Sequence, residues 1–215
     1  YQALHDALTD LPNRTLFRES LQQAIFHAHR YKKPLALLLL DLDQFRDIND
    51  TFGHHWGDTL LQQVGERLRR TLRKSDPVSR LGGDEFAVLL PSTGDVSGAT
   101  HTATRIIRVL EHPFVVEGHT LNVGASIGIA LFPEHGEDPD TLMRRADIAM
   151  YTAKRATGGF AFYQSDLDHH SPDRLLLAGE LRQAIECNEL LLHYQPKACF
   201  ETGRVSHVEA LVRWR

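Results

Sequence analysis

The segment that most constrains this chain is Arg80-Leu81-Gly82-Gly83-Asp84-Glu85-Phe86, set between the short runs Pro77-Val78-Ser79 and Phe86-Ala87-Val88-Leu89-Leu90. Two runs of strand character separated by a few residues containing Gly-Gly predict a β-hairpin. The glycines take positive φ at little cost, so the turn can be tight. Two adjacent carboxylates then stand on a rigid tip, where like charges repel unless a cation lies beside them. A divalent metal ion is the natural candidate.

A second acidic pair supports that reading. The apolar run Leu35–Leu40, long enough for a strand buried on both faces, ends in Asp41-Leu42-Asp43. On a strand, residues i and i+2 share a face, so Asp41 and Asp43 point together while Leu42 points away. If this strand adjoins the hairpin, Asp41 and Asp84 converge at one edge of the sheet. Carboxylates with backbone carbonyls make a hard-oxygen site for Mg²⁺ that leaves room for phosphate oxygens.

The elements around these residues follow a definite order. Helical periodicity marks Phe17, Leu21, Ala24, Ile25 and Ala28, then a segment from about Gly57 to Arg73, then Asp95–Leu110 and Thr141–Lys154. Strands are expected at Leu35–Leu40, at the hairpin, at Phe114–Val116, along the alternating stretch Leu121–Leu131, and at Phe160–Tyr163. Strand, helix, hairpin, helix, strand is a ferredoxin-like βαββαβ core of the α/β (α+β) class, a mixed central sheet flanked by helices. The domain limits expected are 1–163, a polar linker over 164–172, and a separate piece over 173–215 holding a linker helix and a β-hairpin stub. The start at Tyr1 without a methionine reads as an excised fragment.

Composition narrows the function classes. The net charge of −4 offers no general affinity for nucleic acid. Cys187 and Cys199 form neither a metal spacing nor a disulfide framework, which suits a reducing cytoplasm. No run approaches the ~20 apolar residues that span a bilayer. A bacterial cytoplasmic location is expected, with an inner-membrane tether of the parent protein left open. The thirteen histidines, His169-His170 among them, lack metal-ligand spacing and read as solvated surface.

Four motifs in order resemble the GGDEF domain, the diguanylate cyclase family with its nucleotide-cyclase palm-like fold. They are Asp6-Ala7-Leu8-Thr9-Asp10-Leu11-Pro12-Asn13-Arg14, the block read as a metal strand from Asp41 to Asp50, Phe52-Gly53-His54-His55-Trp56-Gly57-Asp58, and Gly82-Gly83-Asp84-Glu85-Phe86. The resemblance implies that two GTP molecules are joined into cyclic di-GMP with release of two pyrophosphates, in a homodimer whose active sites face each other. By motif, Asp41, the Leu42 carbonyl and Asp84 hold Mg²⁺ or Mn²⁺. Asp84 or Glu85 accepts the 3′-hydroxyl proton, and Arg46, standing where the family most often has lysine, lies near the developing phosphate charge. Asn49, His54 and Asp58 match guanine-side positions, and Lys154 matches a triphosphate-contacting lysine. Arg73 and Asp76 match an Arg-x-x-Asp site at which the product inhibits. One departure stands out: Thr157-Gly158-Gly159 replaces the usual Gly-Arg-Asn, which removes a phosphate-facing cation and implies weaker GTP affinity.

The tail carries a second resemblance. Leu190–Lys197 and Val208–Trp214 are similar to the opening of an EAL domain, the cyclic di-GMP phosphodiesterase barrel, with Glu209 at that family's first metal ligand. A (β/α)8 barrel needs ~200 residues, so no phosphodiesterase activity is expected of this stretch alone. The leading reading is a cyclase joined in cis to a phosphodiesterase domain. The alternative is a catalytically weak GTP-binding module that regulates that phosphodiesterase. A pure cyclic di-GMP receptor acting through Arg73 and Asp76 ranks third.

Overall fold

The structure is a computed structural model describing residues 3–93, 95–156, 158–167, 181, 183–198 and 205–214. The chain divides into two compact units, residues 1–168 and 169–215. In the first, Leu35–Leu42 (β1) has every residue but Asp41 buried, because both of its faces are covered. Its even-numbered residues Ala36, Leu38, Leu40 and Leu42 pack with His54–Thr71 (α3) and Val96–Leu110 (α4). Its odd-numbered residues Leu35, Leu37 and Leu39 pack with Arg14–Tyr31 (α1) and Pro139–Arg155 (α5).

Val78–Gly82 (β2) and Glu85–Leu90 (β3) form the expected hairpin, with Gly82 at φ 138° and Gly83 at φ 54°. The five-stranded sheet runs β2-β3-β1-β6-β7, where β6 is Ala125–Phe132 and β7 is Gly159–Phe162. The β1 strand is antiparallel to both β3 and β6, and β7 joins β6 in parallel after the crossover through α5. The four strands β2, β3, β1 and β6 give the ferredoxin-like order, with β7 added at the edge. Gly128 is required by this packing: a Cβ there would lie 1.9 Å from the Ala146 carbonyl oxygen and 2.2 Å from the Met150 nitrogen.

Two expectations of local structure need correction. The Asp41–Asp50 block is a strand only to Leu42; Gln44 turns the chain at φ 60°, and Phe45–Phe52 (α2) is a helix. Phe45, Ile48 and Phe52 recur at helical spacing, and α3 begins at His54 instead of Gly57. The alternating stretch Leu121–Leu131 is likewise two elements. Phe114–Val116 (β4) pairs with His119–Leu121 (β5) in a separate hairpin, and β6 starts only at Ala125. Between them Gly124 turns its carbonyl to the Asp43 N–H at 3.0 Å.

In the second unit, Leu190–Ala198 (β8) and Val205–Trp214 (β9) form an antiparallel pair. The Thr202-Gly203 turn, Leu177, Thr157, His169 and His170 lie outside the described residues. Among the described residues no helix is long and apolar enough to cross a membrane.

Candidate active site

The register of β1 decides which side chains can meet. Asp41 lies directly opposite Glu85 on β3 and opposite Ser126 on β6. Directly opposed residues share a face, and the odd parity of Asp41 puts these three on the face covered by α1 and α5. From α5, Lys154 Nζ reaches Asp41 Oδ1 at 2.6 Å. From α1, Arg14 Nη2 reaches Glu85 Oε2 at 3.1 Å. Ser126, fully buried, donates its hydroxyl to Asp43 Oδ1 at 2.7 Å.

Asp84 stands at the hairpin tip beside this row. Burial first, then the neighbouring Asp41 charge, raise its carboxyl above the ordinary range. Burial also raises Glu85, with Arg14 opposing and Asp147, Asp41 and Asp84 adding to the rise. Lys154 is held above its usual value by the hydrogen bond to Asp41 and by the charges of Asp41, Asp84 and Asp43. One ammonium therefore senses three carboxylates from the end of β1 and the hairpin tip. Among the described residues no three His, Cys, Asp or Glu side chains form a metal-holding group. The expected set of Asp41, Asp84 and the Leu42 carbonyl contains only two such side chains, and its donors are the hard oxygens that Mg²⁺ and Mn²⁺ prefer.

Asn49, His54 and Asp58 lie at the elbow between α2 and α3. Asn49 lies on α2, and its Oδ1 is buried with no hydrogen-bond donor among the described residues. It packs against Gly57, where an added Cβ would lie 2.1 Å from that oxygen. His54 opens α3, and Asp58 follows one turn later, both exposed. Arg46 is not drawn into the carboxylate row: its side chain is 92% exposed and pairs with Asp50 at 3.6 Å. Arg73 and Asp76 sit at the α3–β2 connection, where the Asp76 N–H bonds the Arg73 carbonyl and Asp76 Oδ1 accepts from Ser75.

Beside Lys154, an open cleft of about 460 Å³ is lined by Asp43, Gln44, Gly124, Lys154 and Gly158. Gly158 adopts φ 94° and bonds its N–H to the Ala153 carbonyl at 3.1 Å. Arg155 is exposed.

Sequence reasoning gave no chemical role to the opening block, yet it braces the hairpin. Asp6 accepts from Thr9 and, at 2.9 Å, from Arg80 Nη1. The Arg80 side chain, 11% exposed, also donates to the Gly83 carbonyl from Nε and Nη2 at 3.0 and 2.7 Å. Its backbone N–H bonds the Pro12 carbonyl. Arg14 adds a bond from Nε to the Leu81 carbonyl at 3.2 Å. The sequence separation of 67 between those partners leaves no local pattern to read.

Comparison with known proteins agrees with this geometry. The model of the diguanylate cyclase, GGDEF domain, family matches residues 3–159. The bifunctional diguanylate cyclase/cyclic di-GMP phosphodiesterase MucR of Pseudomonas aeruginosa is 44% identical over 213 residues, covering 99% of this chain and 31% of its own length. The cyclic di-GMP phosphodiesterase NbdA of the same organism is 41% identical over 214 residues, covering 99% of this chain and 27% of its own. The solved GGDEF domain of TpbB (YfiN), also from Pseudomonas aeruginosa, superposes with a TM-score of 0.74 at 42% identity, covering 80% of this chain and 99% of that one. The chain thus spans under a third of the length of these two curated relatives. Motifs, sheet order and family match agree, and the chain belongs to the diguanylate cyclase (GGDEF domain) family.

Proposed function

We propose that this chain is a diguanylate cyclase that condenses two GTP into cyclic di-GMP. The observation that carries the reading is the gathering of Asp41, Asp43 and Asp84 about the Lys154 ammonium, at the end of β1 and the hairpin tip. Asp41, the Leu42 carbonyl and Asp84 would hold Mg²⁺ or Mn²⁺, which when bound neutralises triphosphate charge and polarises the α-phosphorus. Lys154 binds the triphosphate. At the elbow, Asn49 Oδ1 lacks a donor among the described residues and Asp58 offers a second acceptor. Guanine presents N1–H and an amino group to such acceptors, whereas adenine offers an unprotonated N1.

In each half-reaction the 3′-oxygen of one GTP bonds to the α-phosphorus of the other, and the bond from that phosphorus to the bridging oxygen breaks. Pyrophosphate leaves with the bond's electrons, and the 3′-hydroxyl proton passes to Asp84 or Glu85. Each domain contributes one GTP, so the reaction needs a homodimer with sites facing. Product binding at Arg73 and Asp76 rests on a guanidinium fork for a base edge or phosphate and a carboxylate for guanine N–H groups.

A second reading is favoured by Gly158: with no cation there, the domain binds GTP weakly and regulates a phosphodiesterase in cis, an activity that the names of both MucR and NbdA carry. The β8–β9 pair suits the start of such a domain. Leu192, Tyr194, Val208 and Val212 lie on one face of it, all exposed, while Gln195 opposes Glu209 on the other. The test is to incubate the chain, fused to a dimerising coiled coil, with GTP and Mg²⁺. Cyclic di-GMP and two pyrophosphates per product support the cyclase; GTP binding without product supports the regulator; no GTP binding contradicts both.

A further inference from the structure

Asp41 and Glu85, directly opposed on β1 and β3, would repel as neighbouring carboxylates. Each is answered by a cation from a different flanking helix, Lys154 of α5 for Asp41 and Arg14 of α1 for Glu85. Across the sheet edge the two carboxylates, Glu85 and Asp41, lie side by side and are flanked by the two cations, Arg14 and Lys154.

Arg14 does more than balance charge. Its Nε holds the Leu81 carbonyl on β2 at 3.2 Å while its Nη2 holds Glu85 on β3 at 3.1 Å. The guanidinium fork therefore fixes the spacing of the two strands on either side of the tip that bears Asp84. Its place in α1 argues against a role in the helix itself. Arg14 is the first helical residue, where the helix dipole favours anions, and the first turn holds no acidic residue. Asn13 caps the helix by accepting from the Thr15 and Leu16 N–H groups at 3.0 and 3.1 Å, and the Pro12 carbonyl just before it accepts the Arg80 N–H of β2, so the start of α1 is tied to the hairpin. The Arg14–Glu85 pair is 62% and 41% exposed, and pairs that exposed add little to stability.

We infer that Arg14 is a positioning residue for the cyclisation reaction, acting through Glu85 and the Leu81 carbonyl to set the hairpin tip against the 3′-hydroxyl of the opposing nucleotide. The inference rests on the cyclase reading above. It separates two jobs at one sheet edge: Lys154 serves substrate binding, Arg14 serves the chemical step.

The test measures initial rates against GTP concentration, together with thermal melting, for wild type, Arg14→Ala and Arg14→Lys, each carried on the same dimerising coiled coil. Arg14→Ala is expected to lower kcat roughly tenfold to a hundredfold, the scale set by misplacing a reacting group. KM should stay within about twofold, the mark of an interaction made only in the transition state. Melting should be unchanged. Arg14→Lys should recover part of kcat, since an ammonium restores the Glu85 contact but not both arms of the fork. An active wild type with an Arg14→Ala variant of equal kcat overturns this inference alone, as does a loss confined to KM or one that tracks a lowered melting temperature. A wild type that makes no cyclic di-GMP overturns the cyclase reading and this role with it.

Discussion

Lys154 Nζ lies 2.6 Å from Asp41 Oδ1, joining the last turn of α5 to the end of β1 across 113 positions of sequence. That contact places a cation beside the carboxylates at the strand ends, where the proposed cyclase activity has a triphosphate bind. Lys154→Met is expected to raise KM for GTP roughly tenfold or more, the worth of one charge-assisted hydrogen bond. Product formation at saturating GTP should fall less. Initial-rate kinetics check it.

Lys154 is aimed by packing, not by its own loop. Because a Cβ at position 128 would strike the α5 backbone at Ala146 and Met150, Gly128→Ala must push α5 off the sheet. The expected cost is about 1–3 kcal/mol, with loss of GTP affinity greater than the fall in stability explains. Urea unfolding and nucleotide titration of the same variant measure both.

Asp84 should show a trade between stability and function. Its carboxyl is raised, burial and Asp41 being the chief causes. For a carboxylate whose folded value exceeds the unfolded one, stability falls as pH rises from about 3.8 through the folded value, and the cost remains above it. Asp84→Asn removes that cost. It is expected to stabilise the fold at neutral pH by roughly 0.5 kcal/mol, the scale of a screened pair, while abolishing turnover. Melting curves at pH 7 and a product assay test the two halves.

His135, remote from the site, accepts the Leu131 N–H at Nδ1 and packs edge-on against Tyr163. Burial holds its imidazole below the ordinary value, with Glu134 opposing and Arg145 assisting. The folded value is thus lower than the unfolded 6.5. Its contribution to stability is full above pH 6.5 and is lost as pH falls through the folded value. His135→Gln should flatten the melting temperature between about pH 7 and pH 5.

In the cleft beside Lys154, Gly158→Arg adds a cation but imposes a side chain on φ 94°. Tighter GTP binding is expected, together with about 1–2 kcal/mol of lost stability from the left-handed backbone. Unchanged GTP affinity in a folded variant would show that the missing cation is not what limits binding.

Much of this was legible in the residues. The hairpin could be read because Gly82-Gly83 is local turn chemistry, and β1 because Leu35–Leu40 must be buried on both faces. The juxtaposition of Asp41 with the hairpin followed once the sheet order was expected. What stayed hidden was nonlocal or short. Helix α2 has only eight residues and begins inside the acidic block, too short for periodicity to mark it there. The braces from Asp6 and Arg14 to the hairpin bridge more than 60 residues, where spacing carries no signal. The break at Gly124 looked like one continuous alternation, because Val123 and Ala125 are both buried on either side of it.

Cyclase activity would require Asp41 and Asp84, at the end of β1 and the hairpin tip, to hold a divalent cation beside the nucleotide. Electron paramagnetic resonance titration of Mn²⁺, in the presence of a non-hydrolysable GTP analogue, addresses it directly. Wild type should hold protein-bound Mn²⁺ whose signal is lost in both Asp41→Asn and Asp84→Asn and retained in Arg73→Ala. Equal Mn²⁺ binding by wild type and the two aspartate variants would show that Asp41 and Asp84 do not hold the metal.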